Sequence, residues 1–200
     1  MRLSQTVRGI LRGKRTAALT LLALMPIMAT AVAREAFAQT SGPSQIDVQA
    51  VYLFDFAKFV RWPEGADQGP LTICVAGQRV YTDTLTRLVK GERIDSRPLA
   101  VRAITTPEDE TGCEIVFIGT SAKDNVDGLL AAAAGKPMLT VSDVPGFLER
   151  GGMIQFLIIG NRVRFSVDMR PAVRSGIGLS SELLKVAMNV NGKDASGGGR

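Results

Sequence analysis

The sequence predicts a single α/β domain in which a mainly parallel β-sheet is flanked by helices and is followed by an antiparallel hairpin and a final helix. Short continuous apolar runs alternate with longer stretches of helical periodicity over much of the chain. Such runs are typical of a parallel sheet that is covered on both faces. Two further strand-like runs are joined by Gly160-Asn161-Arg162, which indicates a tight hairpin.

Residues 1–38 predict a secretory signal peptide. Five basic residues precede an apolar run at 16–33, and Ala36-Phe37-Ala38 forms a small-residue cleavage motif. We therefore expect cleavage after Ala38, which leaves Gln39 as the first residue of a periplasmic protein. An uncleaved membrane anchor is the alternative, since the apolar run has about the length of one membrane span.

The basic excess of the chain belongs to this leader. The chain has 24 Lys and Arg against 19 Asp and Glu, of which residues 1–38 hold six basic and one acidic residue. Residues 39–200 thus carry equal numbers of both signs and lack the positive surplus with which nucleic-acid-binding domains neutralise phosphates. We expect no nucleic-acid partner.

The chain contains two cysteines and no histidine. Without histidine, the Ser-His-Asp and Cys-His catalytic arrangements and the common His-based zinc sites cannot form. We therefore expect a binding protein with no catalytic residue, no metal ligand and no cofactor. In an oxidising compartment the pair Cys74 and Cys113 predicts a disulfide, and two unpaired buried thiols are the alternative.

The mature chain opens with a short polar linker and an amphipathic helix. Ser44 is a helix cap, and apolar residues recur at helical spacing over residues 46–60. Trp62-Pro63 is expected to end the helix, because proline disfavours helical geometry in the residue before it. Trp62 either anchors the core or, together with Arg61, faces a partner.

The middle of the chain alternates between strands and helices. Strands are predicted at 71–76, 99–104, 115–118 and 138–141, and helices at 80–89 and 124–134. In the first of these helices we expect Val80, Leu85 and either Leu88 or Val89 to face the core. Gly135 ends the second helix.

The last third holds strands at 153–159 and 163–169, and then a helix that Pro171 opens and that extends past the apolar Leu183 and Leu184. Polar residues dominate from Asn189 onward, which predicts a disordered tail at 189–200. The folded α/β domain is therefore expected at residues 39–188.

Four features resemble fragments of functional sites, and the first three of them fit a structural role better. Gly176-Ile177-Gly178 lacks the third glycine of a dinucleotide loop and reads as a turn. Ser180 and Ser181 have no base to activate them and suit a helix cap. The acids at 108–110 point in different directions and suit a solvated loop. Asp143 follows a strand end, where α/β proteins place functional groups, but the sequence shows no partner for it.

Several segments together resemble the YfiR-type periplasmic proteins. They are AVYLFDFAKFVRWP at 50–63, TICV at 72–75, CEIVFI at 113–118, LTVSD at 139–143, GGMI at 151–154 and GLSSELL at 178–184. The resemblance extends over residues 46–188, and the segments are specific in combination rather than singly.

The resemblance implies a repressor. Proteins of this family bind the periplasmic sensor domain of an inner-membrane diguanylate cyclase, which lowers cyclic di-GMP and disfavours biofilm growth. The resemblance also implies an outer-membrane lipoprotein that sequesters the repressor, and a homodimer. Arg61 and Trp62 are our candidates for the contact with the cyclase. The alternative function is that of a periplasmic sensor domain that binds a small molecule for another signalling protein.

The chain departs from the family pattern at one place. Some members carry a second cysteine pair near the Gly-Gly turn, and the corresponding residues here are Leu148 and Gln155. Redox control that depends on that second pair is therefore not expected.

Overall fold

The computed structural model describes residues 42–192, apart from residues 64 and 66–68. The predicted signal peptide at 1–38, with Ala36 and Ala38, and the predicted new terminus at Gln39 lie outside the described residues. Within the described part, every helix is too short or too polar to cross a membrane.

The first helix begins where the sequence predicts and ends earlier. In α1 (Gln45–Phe59), the Ser44 hydroxyl accepts the backbone N–H of Asp47 at 3.2 Å, and the Asp47 carboxylate accepts the backbone N–H of Ser44 at 2.9 Å. This reciprocal pair satisfies two N–H groups that the helix start leaves free. The helix ends before Trp62-Pro63 because the chain turns extended at β1 (Val60–Arg61) to form a two-stranded ribbon with β9 (Gly178–Leu179).

The central sheet has eight strands within the described residues. They are β2 (Leu71–Ala76), β3 (Arg93–Ile94), β4 (Arg97–Ile104), β5 (Ile115–Ile118), β6 (Leu139–Ser142), β7 (Ile154–Ile159), β8 (Arg162–Asp168) and β10 (Val190–Asn191). Their order is β10-β8-β7-β6-β5-β2-β4-β3. The five strands β4-β2-β5-β6-β7 are parallel, whereas β8 and β3 pair antiparallel with β7 and β4. The predicted mixed α/β class with a mainly parallel sheet is confirmed.

Helices cover both faces of this sheet. They are α1, α2 (Arg79–Leu88), α3 (Val126–Ala133), α4 (Met169–Arg174) and α5 (Ser181–Val186), with 3₁₀ turns at Pro107–Glu110 and Thr120–Asn125. On one face Phe56 of α1 packs edge-on against Phe165, with ring centroids 5.0 Å apart. On the other face Val126 and Leu129 of α3 pack in a second core with Val116. Burial on both faces explains why the parallel strands are continuous apolar runs.

The predicted hairpin is confirmed. Gly160 and Asn161 have φ angles of +54° and +61°, so both lie in the left-handed region that a two-residue type I′ turn requires. The turn places Ile158 opposite Val163 and Phe156 opposite Phe165. This register keeps the aromatic residues of both strands on the core face.

The predicted final helix is present as α5 but does not extend from Pro171, because the segment forms two short helices. Gly176 has a φ angle of +70° and follows the end of α4. The chain then extends through β9 to pair with β1, and the Ser180 hydroxyl caps α5 by accepting the N–H of Leu183 at 3.2 Å. The capping role expected of this serine pair is therefore found at Ser180, and the Gly-Ile-Gly segment is a turn.

Three smaller expectations are also corrected. Val80, expected to face the core, is 43% exposed. Tyr81 is the residue at the start of α2 that faces inward, and its ring lies 4.8 Å from that of Phe117. The tail predicted from residue 189 is not wholly irregular, since β10 pairs with β8 through Val190 and Val167. Residues 193–200 lie outside the described part. Glu110, expected in a solvated loop, is completely buried.

Candidate functional site

The strand order creates a crevice at the carboxyl edge of the sheet. Strand β2 lies between β4 and β5 in the sheet. The chain runs from β2 to β4 on one side of β2 and from β5 to β6 on the other, so the connections that follow β2 and β5 lead in opposite directions. Open α/β sheets bind ligands at such a switch point. Here the two loops touch, because the Gly119 N–H donates to the Ala76 carbonyl at 2.8 Å. A Cβ on Gly77 would lie 3.1 Å from the Ser121 hydroxyl, so glycine permits this approach.

The crevice has a volume of about 520 Å³, which is within the range of small-molecule sites. Its polar wall comes from the loops after β2, β5 and β6 and from the start of α1, and its apolar wall comes mainly from α1 and β7. The lining residues are Gln45, Ile46, Gln49, Gln78, Tyr81, Thr120, Ser121, Asp143, Pro145, Gln155, Phe156, Leu157 and Ile158.

Three polar side chains meet at the inner end of the crevice. The Tyr81 hydroxyl lies 2.7 Å from Gln49 Oε1 and 3.1 Å from Asp143 Oδ2. Burial, and then the negative charge of Asp143, raise the pKa of Tyr81, so the phenol keeps its proton. One phenol proton serves two acceptors, and it is donated fully to only one of them at a time.

Asp143 is short of hydrogen-bond donors. Its Oδ1 atom is buried and has no partner among the residues that the structure describes, and its Oδ2 atom shares the Tyr81 proton with Gln49. Buried polar atoms usually have partners, and an unmet one is costly. The arrangement is therefore suited to receive a donor from outside the chain. The sequence shows that Asp143 follows a strand but does not reveal its partner Tyr81, which is 62 residues away.

A second cleft surrounds Trp62, on which the predicted partner contact depends. It has a volume of about 470 Å³ and is lined by Lys58, Arg61, Trp62, Asp95 and other residues. Arg61 is exposed, whereas Trp62 is half-buried and packs against the main core. The indole N–H of Trp62 is buried and has no partner within the described ranges. The core role expected of Trp62 is therefore supported by its packing, while its contact with a partner stays a prediction.

Cys74 and Cys113 form a disulfide, with Cα atoms 5.8 Å apart. The parallel pairing of β2 with β5 brings the two residues together, since Ile73 lies opposite Ile115. The Arg102 guanidinium covers the bridge, with Nη2 3.1 Å from Cys113 Sγ. The bridge lies in the α3-side core and contributes no residue to either cleft.

A side-chain hydrogen bond joins the loop after β6 to strand β7. Gln155 Oε1 accepts the backbone N–H groups of Phe147 at 3.0 Å and Leu148 at 3.4 Å. The Gln155 side chain therefore holds the backbone of Leu148 close to β7. The glycine turn between them is tight, because a Cβ on Gly152 would lie 2.1 Å from the Phe147 ring.

A buried acid lies beside the disulfide. Glu110 is fully buried, and neither carboxylate oxygen has a hydrogen-bond partner among the described residues. Burial raises the pKa of Glu110 to about 7, and the charge of Lys136 opposes this rise. Its neighbours Glu108 and Asp109 are exposed, as expected for a solvated segment. Sequence reasoning missed Glu110 because the three acids look alike until the 3₁₀ turn directs the third one inward.

The described residues contain no cluster of three or more Cys, Asp or Glu side chains that could hold a metal ion. The crevice offers one carboxylate, one phenol and several neutral amides and hydroxyls. This set of groups is suited to binding through hydrogen bonds and one charge.

Two solved structures resemble this chain over part of their length. A conserved domain protein from Vibrio cholerae superposes with a TM-score of 0.49 at 11% identity, over 74% of this chain and 60% of its own. An ABC domain from Streptococcus pneumoniae in complex with L-Trp gives a TM-score of 0.49 at 10% identity, over 74% and 62%. The chain spans about three fifths of each protein, and at such identities the tryptophan of the second is not carried over.

A family model described as YfiR/HmsC-like matches residues 46–188. The match includes α1, the disulfide, both clefts and α5, so it extends over nearly all of the folded part.

Proposed function

Because the chain belongs to the YfiR/HmsC-like family of periplasmic regulators, we propose that it binds the periplasmic sensor domain of an inner-membrane diguanylate cyclase and inhibits that enzyme. The family match is the observation that carries the proposal. The protein itself is not an enzyme in this account, and the cyclase performs the chemistry on the other side of the membrane.

Inhibition across a membrane is a linkage problem. A repressor silences its partner only if it binds the inactive state more tightly than the active one. To move a cyclase from 99% active to 99% inactive, the preference must be about 10⁴-fold. A bound outer-membrane lipoprotein would relieve repression by competing for the free repressor. We also propose that the repressor is a homodimer, which sedimentation equilibrium tests directly.

We propose that the Trp62 cleft is the contact with the cyclase. It combines an aromatic ring, an indole N–H that lacks an acceptor among the described residues, and a rim with Lys58, Arg61 and Asp95. Aromatic residues and arginine dominate the binding energy of many protein interfaces. An indole N–H without an acceptor among the described residues, together with the basic Arg61, favours a partner segment that presents a carbonyl or carboxylate oxygen.

The test is capture of the solubilised cyclase by the exported protein. The bait is recovered from the periplasm, mixed with detergent-solubilised membranes, and the captured proteins are identified by mass spectrometry. Arg61→Glu reverses a charge on an exposed side chain, and we expect it to weaken capture of the cyclase at least tenfold. Arg162→Glu, at the exposed hairpin, is the matched control and should capture normally.

The outcomes separate the site from the function. Normal capture by both Arg61→Glu and Trp62→Ala, with unchanged thermal melting, means that the contact lies elsewhere. Failure of the wild-type protein to capture any protein with a diguanylate cyclase domain, in cells that express one, contradicts the proposed function.

A second candidate function is small-molecule sensing. The observation that favours it is the crevice at the switch point, with its mixed apolar and polar walls. Sensing and repression are compatible, because a ligand in the crevice could alter the repressor's affinity for its partner.

A further inference from the structure

We propose that the crevice at the carboxyl edge of the sheet binds a small organic ammonium ion, with the ammonium on Asp143 and an apolar chain along Phe156 and Ile158. The inference rests on the sensing function and not on repression of a cyclase.

The Asp143 carboxylate has fewer hydrogen-bond donors than it can accept. Oδ1 is buried without a partner in the described part of the chain, and Oδ2 has a share of one phenol proton. Tyr81 and Gln49 are themselves 8% and 3% exposed, so the wall around the carboxylate is fixed by the packing of α1 and α2. A donor that enters the crevice can meet this demand without rearranging the protein.

The charge of the crevice lining favours a cationic ligand. Asp143 is the sole Asp, Glu, Lys or Arg side chain in the described lining, and the other polar groups are neutral amides, hydroxyls and the phenol. A ligand carboxylate or phosphate would meet a negative charge and no compensating cation. An ammonium group supplies several donors and the opposite charge together, and such charge-assisted hydrogen bonds are roughly twice as strong as neutral ones.

The shape of the ligand beyond the ammonium follows from the apolar side of the crevice. Ile46, Phe156 and Ile158 form the apolar part of the crevice, and Ile158 is 47% exposed at its mouth. A ligand chain that covers an exposed apolar side chain removes apolar surface from water, which favours binding. The volume of about 520 Å³ accommodates a short alkyl or aryl chain. A metal ion is a poorer fit, because a divalent cation needs several oxygen ligands and the crevice has a single carboxylate.

The experiment compares three probes that share one chain and differ in their head group. n-Pentylammonium, 1-pentanol and hexanoate are titrated into the exported protein by isothermal titration calorimetry at neutral pH. We expect the ammonium to bind at least tenfold more tightly than the alcohol, and hexanoate not to bind. Equal affinities for the ammonium and the alcohol, or no binding of the ammonium, would overturn the proposal.

Variants locate the site. Asp143→Asn should reduce the affinity for n-pentylammonium at least tenfold, to the level of 1-pentanol. Asp124→Asn is the matched control, since Asp124 is an exposed carboxylate in the 3₁₀ segment that follows β5 and lies outside the lining. An affinity that Asp143→Asn leaves unchanged would refute the assignment of the ammonium to this carboxylate.

A spectroscopic readout does not depend on the stability of the variant. The chain has two tyrosines, and ring-labelled tyrosine gives one NMR signal for each. On addition of n-pentylammonium to the wild-type protein, the Tyr81 signal should shift more than the Tyr52 signal, because Tyr81 lines the crevice and Tyr52 does not. A shift of Tyr52 alone would place the probe elsewhere and contradict the proposal. Since the measurement contains no cyclase, its outcome is independent of the repression test.

Discussion

Replacement of Glu110 by glutamine should remove most of the pH dependence of stability between pH 5 and pH 8. In the folded protein, burial raises the pKa of Glu110 from 4.5 to about 7. The folded state therefore holds this proton more tightly than the unfolded state does. Stability is highest when Glu110 is protonated in both states, falls as the pH rises from about 4.5 through 7, and levels off above that range.

The magnitude follows from the width of this window. A pKa that rises from 4.5 to about 7 corresponds to a loss of about 3 kcal/mol between the acid and alkaline limits. For a domain of this size, that loss would lower the Tm by about 6–12 °C. The window is unusually clear because the chain has no histidine to titrate within it.

The assay is urea denaturation of the exported protein at pH 5, 6, 7 and 8. Wild-type stability should fall over this range, whereas Glu110→Gln should match the wild type at pH 5 and exceed it at pH 8. Glu108→Gln changes an exposed acid in the same 3₁₀ turn and should retain the wild-type profile. A flat wild-type profile, or a Glu110→Gln variant with the wild-type slope, would refute the reasoning.

Three further predictions concern stability, each measured by urea denaturation at pH 7. Glu114→Gln should cost about 3 kcal/mol, because it leaves the buried Arg97 guanidinium without its counter-charge; a loss below about 1 kcal/mol, the value of a surface pair, contradicts this. Gly152→Ala should cost about 1–3 kcal/mol, because its Cβ would overlap the Phe147 ring; an unchanged midpoint is the contrary result. Removal of the disulfide by changing Cys74 and Cys113 to alanine should cost about 4 kcal/mol for a separation of 39 residues, and a stability equal to that of the oxidised protein would show that chain entropy is the wrong account.

Much of the sheet could be predicted from local patterns. The strands at Leu71–Ala76 and Ile115–Ile118 have the predicted bounds. Both are nearly continuous apolar runs, and such runs are buried on both faces of the sheet. The hairpin is equally predictable from the sequence, since Gly160 and Asn161 tolerate the left-handed backbone that the turn needs. These features depend on residues close together in the chain.

The predictions from sequence are wrong where contacts between distant segments determine the local structure. α1 ends at Phe59 because residues 60 and 61 pair with a strand more than a hundred residues away. The inward face of α2 depends on how Tyr81 meets Phe117, which periodicity within ten residues could not show. Glu110 is buried because its 3₁₀ turn packs against α3.

The candidate site could be located in part. The place of Asp143 after a strand is visible in the sequence, although the sequence shows no partner for it, and the rule that parallel strands align their carboxyl ends also brings in Gln78 and Thr120. Tyr81 and Gln49 could not be found in this way, because both come from helices whose packing against the sheet is a tertiary property. Residue type points to Arg61 and Trp62 as candidates for a partner contact, whereas the structure is needed to show that both line one cleft and that the Trp62 indole N–H has no acceptor among the described residues.

The most direct test of the account is the level of cyclic di-GMP in cells that contain the cyclase and carry one of three forms of the gene: deleted, restored in full, or restored without residues 1–38. Deletion should raise cyclic di-GMP and surface attachment, and the full gene should lower both. The form without residues 1–38 should leave them high, because the sensor domain of the partner faces the periplasm. Equal repression by the leaderless and the full forms would contradict the account.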